Sequence, residues 1–219
     1  MSCDGRTKPL FVVIEGIDRC GKNLQADYLE RRFAEAGLPV RKYSTPDYNG
    51  VSGEAVQSYL QGRTFLASRP SGGASRHGPM VRQSLLICNR YAVAALIRES
   101  MKLGQSAVCV RWWQSALLYG QSDGIDPLFV MAACSHLPEP DLHLLLDVDP
   151  DAVSGRLDRS SHYEDPGRQR SLAAAYRALW NAHYGKDPSW VIIRGEDEPL
   201  DVGDLVFKAV LEVRPDLCG

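Results

Sequence analysis

An α/β fold, a three-layer sandwich with a five-stranded parallel sheet flanked by helices, follows from three features of the 219-residue chain. Five short apolar runs recur along it, with helix-spaced stretches between them. One run opens directly into a glycine-rich turn that leads to a helix. The composition, 44% hydrophobic and 24% charged, supports one well-buried core, and the length suits a single domain over residues 1–219.

Phe11 to Ile14 (FVVI) is a β-branched run of the kind a buried parallel strand shows. From Leu24 to Ala36 the apolar residues Leu24, Tyr28, Leu29, Phe33 and Ala36 keep helical spacing, with Gly37 as a stop. Val40 to Ser44 predicts a second strand and Gly53 to Gln61 a helix closed by Gly62. Ser68 to Pro79 (SRPSGGASRHGP) predicts a mobile loop. A long helix over Met80 to Leu103 has a broad apolar face. Ala107 to Val110, Asp141 to Val148 and Ser189 to Ile193 read as further buried strands, and Val202 to Val213 as a terminal amphipathic helix. Alternation of strand and helix implies right-handed crossovers that cover both faces of the sheet. Asp147 and Asp149 read as structural residues, with Asp149-Pro150-Asp151 as a helix start.

The turn after the first strand, EGIDRCGKNLQ, satisfies GxxxxGK through Gly16, Gly21 and Lys22. Glycines let backbone N–H groups converge on an anion, the lysine reaches outer phosphates, and the following helix adds the attraction of its N-terminal dipole. The predicted fold is therefore a P-loop NTPase three-layer sandwich. Residues Gly16, Ile17, Asp18, Arg19, Cys20, Gly21, Lys22, Asn23 and Leu24 form the expected ATP-binding segment. Asn23 stands where such loops usually carry a hydroxyl for Mg²⁺, and Leu24, which offers no oxygen, is expected to turn into the core.

Four collinear segments extend the pattern: EGIDRCGKNLQ, then TPDYNGVSGEAVQSYLQG (Thr45 to Gly62), NRY (Asn89 to Tyr91) and VRWWQSALLY (Val110 to Tyr119). Together they resemble the thymidylate kinase family of nucleoside monophosphate kinases over nearly the whole chain. The resemblance implies ATP-dependent phosphorylation of a deoxynucleoside monophosphate, dTMP foremost, with ATP and Mg²⁺ as cofactors. It implies that Lys22, Arg19 and Arg111 are catalytic. Asp18 would meet the sugar 3'-hydroxyl, Arg90 the base and Arg111 the acceptor phosphate. Tyr48, Leu86, Ser115 and Tyr119 would complete the substrate pocket, and Arg156 and Arg159 would lie in a lid over about 156–170, which also carries Arg168 and Arg170. Each arginine or aromatic residue also has a plainer reading, as surface or core.

Two departures from the family pattern concern one ion. Asn23 replaces the loop hydroxyl, and Val110 replaces the aspartate that usually ends the third strand, whereas the phosphate-binding residues are kept. No metal ligand is assigned from the sequence. A nucleotide-binding pseudokinase or regulator, and a kinase of another modified nucleotide, therefore stand beside the leading reading.

A formal charge of -2 gives no general attraction for nucleic acid or anionic membrane, so the expected partners are small-molecule nucleotides. No apolar stretch has membrane-spanning length, the N-terminal residues lack a signal-like core, and the six cysteines show no metal spacing. A cytoplasmic protein is expected, and a homodimer, common among relatives of the family, is left open.

Overall fold

The computed structural model describes residues 8–60, 78–156, 165–183 and 185–215. The elements are β1 (Phe11–Glu15), α1 (Lys22–Glu35), β2 (Val40–Ser44), α2 (Gly50–Leu60), α3 (Gly78–Lys102), β3 (Ser106–Val110), α4 (Trp113–Ser122), α5 (Pro127–Cys134), β4 (Leu142–Asp147), α6 (Pro150–Val153), α7 (Pro166–His183), β5 (Trp190–Arg194) and α8 (Pro199–Val213). A single 3₁₀ turn, Ser154–Arg156, follows α6.

The sheet is parallel, in the order β2-β3-β1-β4-β5. Its register aligns Ile14 with Val110 and with Leu144, and Leu145 with Ile192. β1 and β3 are buried at every position, whereas β2 and β5 at the edges are only partly so. This is why FVVI and AVCV are continuous apolar runs: a central strand covered on both faces has no solvent side to mark with polar residues.

Two compact units make up the chain. One comprises Met1–Tyr43, Ile97–Val110 and Glu139–Gly219 and holds the sheet with α1, α7 and α8. The other comprises Ser44–Leu96 and Arg111–Pro138 and holds α2, most of α3, α4 and α5. In the first, the Tyr28 ring closes on Gly203 of α8, where an added Cβ would come within 2.7 Å of it. Trp180 of α7 meets Trp190 of β5 edge-on, with centroids 4.9 Å apart. In the second, Trp112 is fully buried and its Nε1 donates to Pro138 O at 3.0 Å.

The helices α4 and α5 have no amphipathic stripe to announce them. Seven of the ten residues of α4 are buried, the polar Gln114 and Ser115 among them, so no polar face marks a solvent side. The start of α5 is legible through its cap, since Asp126 accepts from Leu128 N at 2.9 Å ahead of Pro127. Asp149 caps α6 in the same manner, accepting from Asp151 N at 2.9 Å.

Several expected boundaries move. Gly78 and Pro79 belong to α3 rather than to the preceding loop, because proline is tolerated in a first helical turn. The rest of that loop, with Gln61 and Gly62, lies outside the described residues, as does Arg159. The end of the expected lid, 166–170, is the first turn of α7: Asp165 accepts from Arg168 N at 2.8 Å and Pro166 opens the helix.

Candidate active site

The first unit carries the phosphate loop. β1 ends at Glu15, whose fully buried carboxylate accepts from Tyr176 OH at 2.9 Å. Gly16 follows with φ 145, and a Cβ there would lie 2.8 Å from both Leu146 O and Cys20 Sγ, so both the conformation and the space require glycine. Gly21 has φ 97 and forms the N-cap of α1 without a side-chain cap. The helix start thus carries no side-chain cap, and no acidic side chain in the first turn opposes an anion.

Lys22 is 7% exposed; its Nζ donates to the carbonyl of Ile17 and reaches Cys20 Sγ at 3.5 Å. Its ammonium is thereby held inside the curve of the loop. Arg19 is exposed and has φ 61, a left-handed conformation uncommon for a residue with a Cβ. Asn23 faces solvent. Leu24 is 52% exposed, which overturns the expectation that it turns inward; Gln25 takes the inward position and donates from Nε2 to Pro199 O at 2.9 Å.

Asp18 is held by a residue that the sequence patterns did not single out. Gln169, fully buried on α7, accepts from Asp18 N at 2.9 Å and donates from Nε2 to Asp18 Oδ2 at 2.8 Å. One carboxamide therefore fixes both the backbone and the carboxylate of a residue 151 positions away. Of the basic residues in the expected lid, Arg156 is exposed, and Arg170 donates to Asp151 Oδ1 at 2.6 Å. That pairing, with its side-chain hydrogen bond and nearby acidic charges, raises the guanidinium pKa.

The second unit gathers the residues expected to meet the acceptor. Arg90, 3% exposed on α3, donates from Nε to Trp112 O at 2.9 Å and from Nη1 to Leu86 O at 3.1 Å. Arg111 follows β3 with φ 67. Its carbonyl accepts from Thr45 Oγ1 at 2.8 Å, and its Nη1 donates to Ser115 Oγ at 3.3 Å. Ser115 and Tyr119 are buried at 2% and 9% exposure, Leu86 is half-buried, and Tyr48 is 49% exposed. The structure thus brings Arg111, Ser115 and Tyr119 together, and it ties Arg90 to the residue next to Arg111.

A second carboxamide clamp works here. Asn89, fully buried, accepts from Asp47 N at 2.8 Å and donates from Nδ2 to Asp47 O at 2.8 Å and to Ser52 Oγ at 3.1 Å. It pins the loop after Thr45, whose peptide bond to Pro46 is cis. In the NRY segment the arginine drew attention as a charge, but its neighbour orders the backbone.

The residues do not fit a protein-held magnesium ion. Asn23 offers one exposed neutral oxygen, Val110 is apolar and 4% exposed, and the described residues contain no cluster of three or more His, Cys, Asp or Glu side chains suited to a metal. The fit to a polyphosphate is better, because an uncapped helix start, two glycines with positive φ and a buried ammonium are anion-binding chemistry.

A parallel sheet of this order, with a GxxxxGK loop between β1 and α1, defines a P-loop nucleotide-binding protein. Residues 14–206 match the family model described as thymidylate kinase. The chain belongs to the thymidylate kinase family. It is 26% identical over 203 residues to a thymidylate kinase of Arabidopsis thaliana, covering 92% of this chain and 71% of that one. It is 25% identical over 213 residues to a probable thymidylate kinase of Methanococcus maripaludis strain C6, covering 94% and 98%. The fold is also that of a thymidylate kinase from Candida albicans, with a TM-score of 0.76 and 20% identity over 96% of this chain and 94% of that one. Among the described residues no helix is long and apolar enough to cross a membrane.

Proposed function

We propose that the chain transfers the γ-phosphoryl group of ATP to a deoxynucleoside monophosphate, dTMP foremost, yielding the diphosphate and ADP. An oxygen of the acceptor phosphate attacks the γ-phosphorus, the bond from that phosphorus to the β,γ-bridging oxygen breaks, and ADP leaves with the electron pair. Such transfers need positioning and charge neutralisation more than covalent chemistry. Magnesium enters chelated by the phosphates of ATP, as part of the substrate.

In this reading the loop amides from Gly16 to Lys22 other than that of Asp18, which Gln169 holds, cradle the donor phosphates, whose oxygens compete with the Ile17 carbonyl for the Lys22 ammonium. Arg19 neutralises the charge of the group in transit, and Arg156 covers the donor. Asp18, oriented by Gln169, accepts from the sugar 3'-hydroxyl. Arg111 grips the acceptor phosphate, Ser115 and Tyr119 steady that guanidinium, and Arg90 addresses the base, with Leu86 and Tyr48 at its margins.

The observation that supports the reading is the loop from Gly16 to Lys22, with positive φ at both glycines and the Lys22 ammonium buried against it, in a chain matched by the family model from residue 14 to 206. The test is diphosphate formation by the purified protein from Mg-ATP and a panel of nucleoside monophosphates. Turnover in the ordinary kinase range, about 1 to 100 per second, with dTMP preferred, is expected. Nucleotide binding without turnover of any monophosphate would discard it.

A further inference from the structure

We propose that Gln83 reads the nucleobase of the acceptor, presenting a fixed carbonyl oxygen that favours a pyrimidine with an N3–H, thymine or uracil, over cytosine. The inference rests on the kinase reading above and adds to it the residue that sets base preference. Gln83, Ile87 and Arg90 fall at i, i+4 and i+7 on one face of α3 and are all buried, at 1%, 6% and 3% exposure. That face runs along α4 in step: Arg90 Nε donates to Trp112 O at 2.9 Å, and Gln83 Nε2 donates to Ala116 O, one turn further on, at 2.7 Å. The order away from the phosphate-gripping Arg111 is therefore Arg90 first and Gln83 next, the direction in which a nucleotide extends from phosphate to base.

Room for the carboxamide comes from Gly120. A Cβ at that position would meet Val130 Cγ2 at 3.2 Å, Gln83 Nε2 at 3.4 Å and Gln83 Cδ at 3.5 Å. The absent side chain leaves the space that Gln83 fills. The bond to Ala116 O also fixes which way the amide faces, because flipping it would set Oε1 against a carbonyl oxygen. Among the described residues none donates to Oε1, and the atom is not sealed off. A buried glutamine with its donor end committed is thus a fixed acceptor. Thymine and uracil present a hydrogen at N3, whereas cytosine presents a lone pair there, so the same oxygen attracts one edge and repels the other.

The experiment compares dTMP, dCMP and N3-methyl-dTMP as acceptors for the native protein and for Gln83→Leu, with kcat/KM measured for each. The native protein is expected to prefer dTMP over both others by about tenfold or more, and the substitution to shrink both ratios toward unity. A Gln83 that only staples α3 to α4 would lower all three values together and leave the ratios unchanged, which overturns the proposal. If Gln83→Leu does not fold, the native comparison still decides: N3-methyl-dTMP used as well as dTMP rules out the contact. Failure of the native protein to phosphorylate dTMP at all would instead strike the kinase reading, and this proposal with it.

Discussion

The Arg111 guanidinium lies 5.0 Å from the centroid of the Tyr119 ring while its own backbone sits at φ 67. A cation over an aromatic face gains about 0.5–2 kcal/mol, and a left-handed backbone gives up roughly 1–2 kcal/mol for a residue with a Cβ. The two roughly offset each other, so the ring and the Ser115 hydroxyl hold a conformation that the local backbone does not favour. Arg111→Lys retains charge but loses the planar fork. We expect kcat/KM for dTMP to fall about a hundredfold or more, with KM for ATP little changed. Steady-state kinetics in both substrates checks this, and equal losses on the two sides would remove Arg111 from the acceptor phosphate.

Arg19 offers a cleaner measure of strain, because it is exposed and has φ 61. Both Arg19→Ala and Arg19→Gly remove the guanidinium, and they differ mainly in how well the residue tolerates that conformation. Glycine should leave the protein more stable than alanine by about 1 kcal/mol in denaturant unfolding. Both should reduce turnover to a similar extent. Equal stabilities would mean that the loop relaxes once the arginine is gone.

The clamp between Gln169 and Asp18 predicts non-additive effects. Gln169→Leu leaves the Asp18 amide and one carboxylate oxygen without their partner, and Asp18→Asn weakens the same contact from the other side. Energetic coupling between the two substitutions of about 0.5–3 kcal/mol is expected, with KM for dTMP raised more than KM for ATP. Strict additivity in a double-mutant cycle would reduce Gln169 to an ordinary core residue.

Much of this arrangement was legible in the chain itself, and the exceptions share a cause. FVVI, AVCV and the GxxxxGK loop are local signals, set by neighbours within a few positions, and the structure agrees with them closely. Gln169, Asn89 and Gln83 are not local. Each is an amide whose meaning depends on a partner 33 to 151 residues away, and a glutamine inside a helix carries no mark of that partner. Leu24 differs for the opposite reason: helical periodicity does not hold across the first turn, where Gln25 occupies the inward position and leucine is left outside. The helix α4 carries no periodic signal, because burial on nearly every side erases the polar stripe that periodicity needs.

Asn23 and Val110 predict how the protein depends on magnesium. With no protein carboxylate at the end of β3, activity should follow the concentration of Mg-ATP and show little added affinity for free Mg²⁺. Asn23→Ser restores a hydroxyl on an exposed position, so the fold should tolerate it while the Mg²⁺ concentration for half-maximal turnover falls. Val110→Asp places a charge where the native side chain is 4% exposed on a central strand, and a loss of roughly 3 kcal/mol or more is expected unless a cation accompanies it. Magnesium titrations of activity and of thermal stability test the pair. Unchanged Mg²⁺ dependence in Asn23→Ser would show that position 23 has no bearing on the ion.

Cys134 gives the fold a predictable weakness in alkali. Burial at the end of α5 raises its thiol pKa, and the nearby Arg90 guanidinium opposes the shift only in part. Because the folded value lies above the unfolded one, this group's contribution to stability is complete below the ordinary thiol value. It declines as pH rises through the window between the two, where the unfolded chain has lost the proton and the folded chain still holds it. Cys134→Ala removes that titration at the expense of a small cavity. The substituted protein should be somewhat less stable near neutrality, but its unfolding free energy should decline less steeply above the thiol range, so the two stability–pH curves converge. Denaturant unfolding across that range provides the measurement. Parallel curves would mean that the Arg90 charge cancels the effect of burial, in which case the guanidinium lies closer to the sulfur than its bonds to Trp112 and Leu86 imply.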